Sequence, residues 1–273
     1  MLTQADDFLA ESEALHTLIA PLDGRALTQV TQFKGWTIED VILHLHFWNG
    51  AADLAAQNPK TFRTLITQMM AALKSGALRT FEDAQIEQRG TDLRDAWIAR
   101  VREMAPRWQA MDPRARLAWV GPDMSARSSM TARQMETWAH GYEVWDVLGH
   151  ERAENDRVKN IVILGLNTFG WSHQVHGLPV PPTRPALELT APSGAVWSYA
   201  AQGGEDAGAI TGPAVDFAAV VTQTRALADT ALRSEGPVAR TWMENAQCFA
   251  GPPERPPAPG SRARSLAPGP VDG

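Results

Sequence analysis

A single cysteine, Cys248, is all the sulfhydryl chemistry this chain of 273 residues carries. An internal disulfide is therefore excluded, and the scarcity fits a reducing compartment. Long apolar runs are missing as well: no stretch approaches the length a membrane-spanning helix needs. Positive charge is in short supply, with 25 Lys and Arg against 31 Asp and Glu for a net charge of −6. No basic cluster is dense enough to track phosphates, so nucleic acid is not an expected partner. The opening Met1-Leu-Thr-Gln-Ala-Asp-Asp7 is acidic and lacks the charged-then-apolar pattern of a secretory signal. No repeat recurs at a fixed period. The expectation is a cytoplasmic protein, off the membrane, whose partner is a small molecule.

What is present is enough apolar material for a core, 44 % of residues. The length suits one large or two modest domains. Helical periodicity dominates the first two thirds. Ala5 to about Leu22 repeats Phe8, Leu15, Leu18, Ile19 and Leu22 on one face. Trp36-Thr-Ile-Glu-Asp-Val-Ile-Leu-His-Leu-His-Phe-Trp48 opens with a helix-start signature, Thr37 as cap and Asp40 three residues on to close a capping box. That helix runs to about Gln57, before Pro59. Residues 60–74 carry another, whose Met69 and Met70 read as core filler. Gly76 to Gln88 reads as a loop or short helix. Thr91–Met111, about Thr131–Leu148 and Val158–Val175 complete the helical part.

The pattern then changes. Pro179, Pro181, Pro182 and Pro185 mark a boundary. Residues 186–191 and 195–200 alternate at period two around Pro192-Ser-Gly194, a hairpin signal. A third strand is expected in 207–211. Gly212-Pro213 should then start a helix reaching about Ser234, and Pro237–Phe249 a last one. From Gly251 onward, proline, glycine, alanine and arginine without periodicity predict a disordered or loosely packed tail. The expected organisation is a helical domain over 1–177, a small α/β domain over 178–250 and a tail over 251–273.

Chemistry concentrates in three residues. Positions 37, 41, 44 and 48 share a helix face, so His44 points inward with Val41 and Trp48. Glu136 and His140, at i and i+4 on a second helix, are spaced to grip one ion, with His44 as a third ligand. Three protein ligands leave coordination positions open, the catalytic pattern for zinc. The same spacing also occurs on solvated helices and in cores whose histidine is simply satisfied. His46 faces roughly opposite to His44 and is set aside. His150 reads as exposed after the helix. His173 and His176, three apart near a helix end, could pair on a metal but read first as ordinary helix-end residues.

Trp36-Thr-Ile-Glu-Asp-Val-Ile-Leu-His44-Leu resembles the first motif of the DinB-like superfamily, especially the branch containing mycothiol-dependent maleylpyruvate isomerase. Arg133-x-x-Glu136-x-x-x-His140-Gly-x-Glu143-x-x-Asp146-x-x-Gly149 resembles that branch's second motif. The resemblance covers about residues 5–175. It implies a mainly α fold, a DinB-like four-helix bundle whose interior divalent metal, usually zinc, is held at His44, Glu136 and His140. Where relatives often carry aspartate three residues after the second histidine, this chain has Glu143, implying a supporting, fourth-ligand or surface role. Gly212-Pro-Ala-Val-Asp-Phe217 followed by Arg225 is similar to the family's small α/β, sterol-carrier-like C-terminal domain, and implies that Arg225 faces the metal cleft. Gln223-Thr224 stand where relatives often have a glycine before that arginine.

The resemblance implies a low-molecular-weight thiol cofactor, mycothiol or glutathione, and a thiol-dependent isomerase or S-transferase. Arg225 would clamp a substrate carboxylate, and in a hydrolytic version Glu143 would act as base. The rival reading is a non-catalytic metal- or small-molecule-binding protein, since fold does not fix function.

Overall fold

Thr37 opens the site-bearing helix with both halves of a capping box. Its hydroxyl accepts from the Asp40 amide at 3.1 Å, and the Asp40 carboxylate accepts from the Thr37 amide at 2.9 Å. Just upstream, Phe33-Lys34-Gly35-Trp36 folds back on itself. Lys34 and Gly35 take φ values of 51° and 71°, and the Trp36 amide donates to the Phe33 carbonyl. Positive φ at both central positions is the tight hairpin-type turn that glycine makes affordable. It delivers two aromatic rings to the start of the helix.

The computed structural model describes residues 1–120, 122–203 and 207–263 and divides into two compact units, Met1–Val147 and Leu148–Gly273. In the first unit, α1 (Gln4–Ile19), α2 (Ile38–Gln57), α5 (Gly90–Gln109) and α6 (Ala126–Val147) form a four-helix bundle, α1 and α2 each packing against both α5 and α6. Phe8, Leu15, Val41, Leu45, Trp97, Val101, Trp108, Met130 and Trp138 fill it and are essentially inaccessible. Each such side chain contributes about 1.5–3 kcal/mol by leaving water. The shorter α3 (Pro59–Lys74) and α4 (Leu78–Ala84) lie against α2, and β1 (Arg116–Leu117) pairs antiparallel with β2 (Met124–Ser125) before α6.

The second unit begins earlier than the proline-rich join suggested. The stretch 158–175 is not one helix of the bundle. It is α7 (Lys159–Asn167) and α8 (Phe169–Val175), broken at Thr168, and both belong with the sheet-bearing unit. Packing explains the difference: at Gly165 a Cβ would stand 2.9 Å from the Phe217 ring, so glycine lets α7 press on α9 (Ala214–Val221). Phe169 and Phe217 both meet the buried Trp242 edge-on, with centroids 5.0 and 5.7 Å away.

The sheet orders β4-β3-β5-β6, from β3 (Ala186–Thr190), β4 (Val196–Tyr199), β5 (Ala209–Pro213) and β6 (Arg233–Glu235). The β3–β4 hairpin pairs Leu189 with Trp197 and turns through Gly194. Strand β5 runs parallel to β3. Gly208 is obligatory before β5, since a Cβ there would fall 1.9 Å from the Glu235 carbonyl oxygen.

Three expectations fail in this unit. Gly212 and Pro213 end β5, and the helix after them stops at Val221 rather than reaching Ser234. Thr222 turns its hydroxyl back onto the Ala218 carbonyl and Gln223 takes a φ of 57°, which breaks the helix and leaves 233–235 to form β6. The last helix, α10 (Pro237–Glu244), is shorter than expected. The tail is also tied down where it is described. Glu254 bonds Gln223 and Gln247, the Gly260 amide donates to Asp229, and Arg262 donates to the Gln223 carbonyl at 2.7 Å. The part of the tail expectation covering 264–273 lies outside the described residues.

Candidate metal centre

The α2 face carrying Val41, His44 and Trp48 meets the α6 face carrying Arg133, Glu136 and His140. Glu136 Oε2 lies 3.3 Å from His140 Nε2 and 3.7 Å from His44 Nε2. One ligand atom from each of the three residues falls within 4.8 Å of the others, the only such group of metal-ligating type among the described residues. Two ligands that each stand 2.0–2.2 Å from one ion at a tetrahedral angle lie about 3.3–3.6 Å apart. The donor set and spacing therefore fit a divalent ion. The three side chains are 12–21 % exposed, partly open rather than sealed.

The opposite edge of His44 is held by a residue that periodicity did not single out. Glu82, on α4 and 2 % exposed, places Oε2 3.1 Å from His44 Nδ1 and accepts from Trp48 Nε1 at 2.8 Å. With its proton on Nδ1, His44 would present the Nε2 lone pair to an ion held together with Glu136 and His140. This is the carboxylate–histidine arrangement that fixes tautomer and ring orientation at metal sites. Arg79, one turn before Glu82, joins Glu82 to the capping residue Asp40 and lies 5.0 Å over the Trp36 ring. Glu82 sits in a seven-residue helix with the histidine and tryptophan it holds more than thirty positions away, so spacing carried no signal for that role.

Aromatic rings wall the cluster. Trp36 stacks on His140 with centroids 5.5 Å apart and planes 12° from parallel, and Phe33 meets the same imidazole edge-on at 5.1 Å. Arg133, 4 % exposed, lies over Trp48 and Trp119 and 3.9 Å from Glu136 Oε1. A buried guanidinium of this kind stays charged and is balanced here by a carboxylate and two ring faces.

Protonation follows from these neighbours in the metal-free site. Burial would raise the Glu136 carboxyl, but hydrogen bonds from His140 and His44 and the Arg133 charge outweigh it and hold the carboxyl well below its ordinary value. Burial lowers His44, but Glu136 and Glu82 together raise it above the usual imidazole value. For His140 burial wins over its bond to Glu136, and the nearby His44 pushes it lower still.

The other sequence-named residues fall elsewhere. Glu143 is buried on α6, at 2 % exposure, which overturns the surface alternative, and it stands outside the three-residue group. Arg225 belongs to the second unit. It lies in the turn after α9 and not on a helix, half-buried, with Nη1 donating to the Thr224 carbonyl at 3.0 Å. His46 is buried behind α2 against Arg100. His150 is exposed, and His173 is a core residue bonded to the Phe169 carbonyl at 2.9 Å.

The family model described as the mycothiol maleylpyruvate isomerase N-terminal domain matches residues 8–159. An uncharacterized protein of Mycobacterium tuberculosis, in strains CDC 1551 / Oshkosh and ATCC 25618 / H37Rv, is 37 % identical over 254 residues. The match covers 91 % of this chain and 96 % of the relative. Crystal structures of mycothiol-dependent maleylpyruvate isomerase and of one of its histidine-to-alanine mutants superpose with a TM-score of 0.50 at 14 % identity, over 80 % of this chain and 86 % of theirs. At that identity the likeness concerns the fold, a mainly helical DinB-like bundle followed by a small sheet-bearing domain. No helix among the described residues is long and apolar enough to cross a membrane.

Proposed function

The chain belongs to the mycothiol maleylpyruvate isomerase N-terminal domain family, and on that premise we propose that it is a divalent-metal-dependent enzyme using a low-molecular-weight thiol to isomerise, or transfer sulfur to, a small carboxylate-bearing molecule. The observation that carries this reading is the convergence of His44, Glu136 and His140 with the far edge of His44 tied to the buried Glu82. These three residues would hold the ion, zinc in this proposal. When bound it supplies Lewis acidity toward a thiol or water at its open positions.

The chain's own groups do the rest. Glu82 and Trp48 hold the His44 ring in the orientation that presents Nε2. Phe33, Trp36, Trp48 and Trp119 line the cluster and limit its contact with water, which strengthens charge interactions inside. Arg133 contributes positive charge beside Glu136, favouring an anionic substrate. Arg225 is assigned as the carboxylate clamp and Glu143 as a supporting carboxylate on α6. Cis–trans isomerisation by a thiol needs addition to an activated alkene, rotation about the resulting single bond and elimination of the same thiol. Transfer replaces the elimination with displacement of a leaving group. Mycothiol is the thiol the family relationship favours, with glutathione the other candidate, and a cytoplasmic location belongs to the same proposal.

The test is metal analysis of untagged protein followed by turnover of a maleylpyruvate-type cis-alkene diacid with mycothiol and with glutathione. Bound metal with thiol-dependent turnover is the expected result. Bound metal without turnover by either thiol would favour a binding protein, and protein purified and reconstituted without metal would overturn the proposal.

A further inference from the structure

Arg79 stands on α4 three residues before Glu82, so the two side chains share a helix face. Its Nη1 lies 3.4 Å from Glu82 Oε2, the oxygen that also faces His44 Nδ1. Burial disfavours a charged carboxylate without a partner, and Glu82 is only 2 % exposed. The guanidinium beside it favours the charged form, which makes the stronger bond to the imidazole.

The same guanidinium reaches the second histidine by another route. Its Cζ lies 5.0 Å over the Trp36 ring, and that ring stacks on His140 with centroids 5.5 Å apart and planes 12° from parallel. A third contact runs to the start of α2. Arg79 Nη2 donates to Asp40 Oδ1, while the other oxygen of that carboxylate accepts from the Thr37 amide at 2.9 Å. A guanidinium spread over three partners is pinned, unlike a lone surface ion pair, whose long side chains stay free to move. His44 and His140 come from different helices, α2 and α6. One side chain from a helix outside the bundle therefore touches both the carboxylate that holds His44 and the ring that backs His140.

We propose that Arg79 is a positioning residue that sets the two histidines together, His44 through Glu82 and His140 through Trp36, and so tunes the affinity of the cluster for its ion. The proposal rests on the reading of His44, Glu136 and His140 as an ion site.

The experiment measures zinc affinity by chelator competition in the full chain, for wild type, Arg79→Met, Arg79→Lys, Glu82→Gln and the double variant Arg79→Met/Glu82→Gln. Ring resonances of His44 and His140 are followed by NMR in the chelated samples. Arg79→Met should lower zinc affinity about tenfold, the low end of what losing an outer partner of a ligating histidine costs. In the Glu82→Gln background it should still lower affinity by about two- to fivefold, the range of one cation–π contact, because the Trp36 route remains. Both histidine rings should shift in Arg79→Met, whereas Glu82→Gln should move chiefly His44. Arg79→Lys keeps the charge without the fork and should fall between wild type and Arg79→Met; it also serves if the methionine variant does not fold. A wild-type chain that binds no zinc overturns the reading of the site and this proposal with it. A wild type that binds zinc beside folded Arg79 variants of unchanged affinity overturns the proposal alone. So does an Arg79→Met effect that vanishes in the Glu82→Gln background or leaves the His140 ring unmoved, since Arg79 would then act on His44 only.

Discussion

Glu82 Oε2 and His44 Nδ1 stand 3.1 Å apart although 38 residues separate them in the chain. The contact makes α4, a short helix outside the four-helix bundle, part of the site. Glu82→Gln keeps the shape but weakens the charge-assisted bond and reduces the pull on Nδ1–H. Metal affinity should fall by about 10–100-fold, the usual effect of losing an outer partner of a ligating histidine, with helical content unchanged. Competition with a chelator of known affinity measures it, and an unaltered dissociation constant would show that Glu82 plays no positioning part.

His44→Ala should abolish metal binding at the three-residue cluster and leave a folded protein. The bundle core of Trp97, Trp108, Trp138 and their aliphatic neighbours does not depend on an ion to exclude water, unlike small domains that unfold without metal. Far-ultraviolet circular dichroism and elemental analysis of the same sample check both halves. Loss of the helical signal at room temperature would make the metal structural.

His46 gives the metal-free fold a pH dependence with a definite sign. Burial, with the Arg100 charge adding to it, lowers its pKa to about 4, against about 6.5 in an unfolded chain. Between those values the unfolded state binds more protons, so stability is full above pH 6.5, falls as pH drops through the window and levels off below 4. The loss is at most about 3.4 kcal/mol, from 1.36 kcal/mol per pKa unit over the shift from 6.5 to about 4. Urea unfolding of chelated protein at pH 7 and 4.5 should show a smaller difference in His46→Gln than in wild type. Equal differences would refute the assignment.

Local chemistry was legible in the sequence where partners are close in the chain. Thr37 and Asp40 are three apart and Glu136 and His140 four apart, so helix geometry alone set their relationship. Glu82 was not legible because the site residues it holds, His44 and Trp48, come from another helix. The domain join was misread for a related reason. The proline cluster after 178 is a strong local signal, yet Gly165 lets α7 pack on α9, and that contact moves the unit boundary back to Val147 and Leu148. The tail expectation rested on composition, which carries no trace of the single hydrogen bonds through Glu254, Gly260 and Arg262.

Gly165 is itself testable. Alanine would gain about 1 kcal/mol of helix propensity over glycine, but its Cβ would stand 2.9 Å from Phe217 and 3.1–3.2 Å from the Val221 methyls. Gly165→Ala should therefore come out near neutral. Gly165→Val adds bulk the contact cannot absorb and should cost about 1–3 kcal/mol, read as a lower denaturant midpoint. A valine variant as stable as wild type would mean that α7 and α9 have room to separate.

Arg225 carries the most exposed part of the functional proposal. Its guanidinium makes a bond to the neighbouring Thr224 carbonyl, and the turn that holds it is fixed by Gln223, whose amide donates to the Ala246 carbonyl at 3.0 Å and to the Glu254 carbonyl at 2.9 Å. The base of the side chain is thus firmly placed, and a substitution at its tip should disturb little of the fold. Arg225→Lys keeps the charge but loses the planar fork, so a carboxylate substrate should turn over with raised KM while metal content stays unchanged. Arg225→Ala should do worse, by roughly the 2–5 kcal/mol typical of removing one member of a buried charge pair. The parallel variant Arg133→Lys separates the two arginines, since Arg133 sits 3.9 Å from Glu136 and its replacement should alter metal affinity as well as KM. If both Arg225 variants retain wild-type kcat/KM, the carboxylate is held by the first unit alone, and Arg133 becomes the residue to test as its clamp.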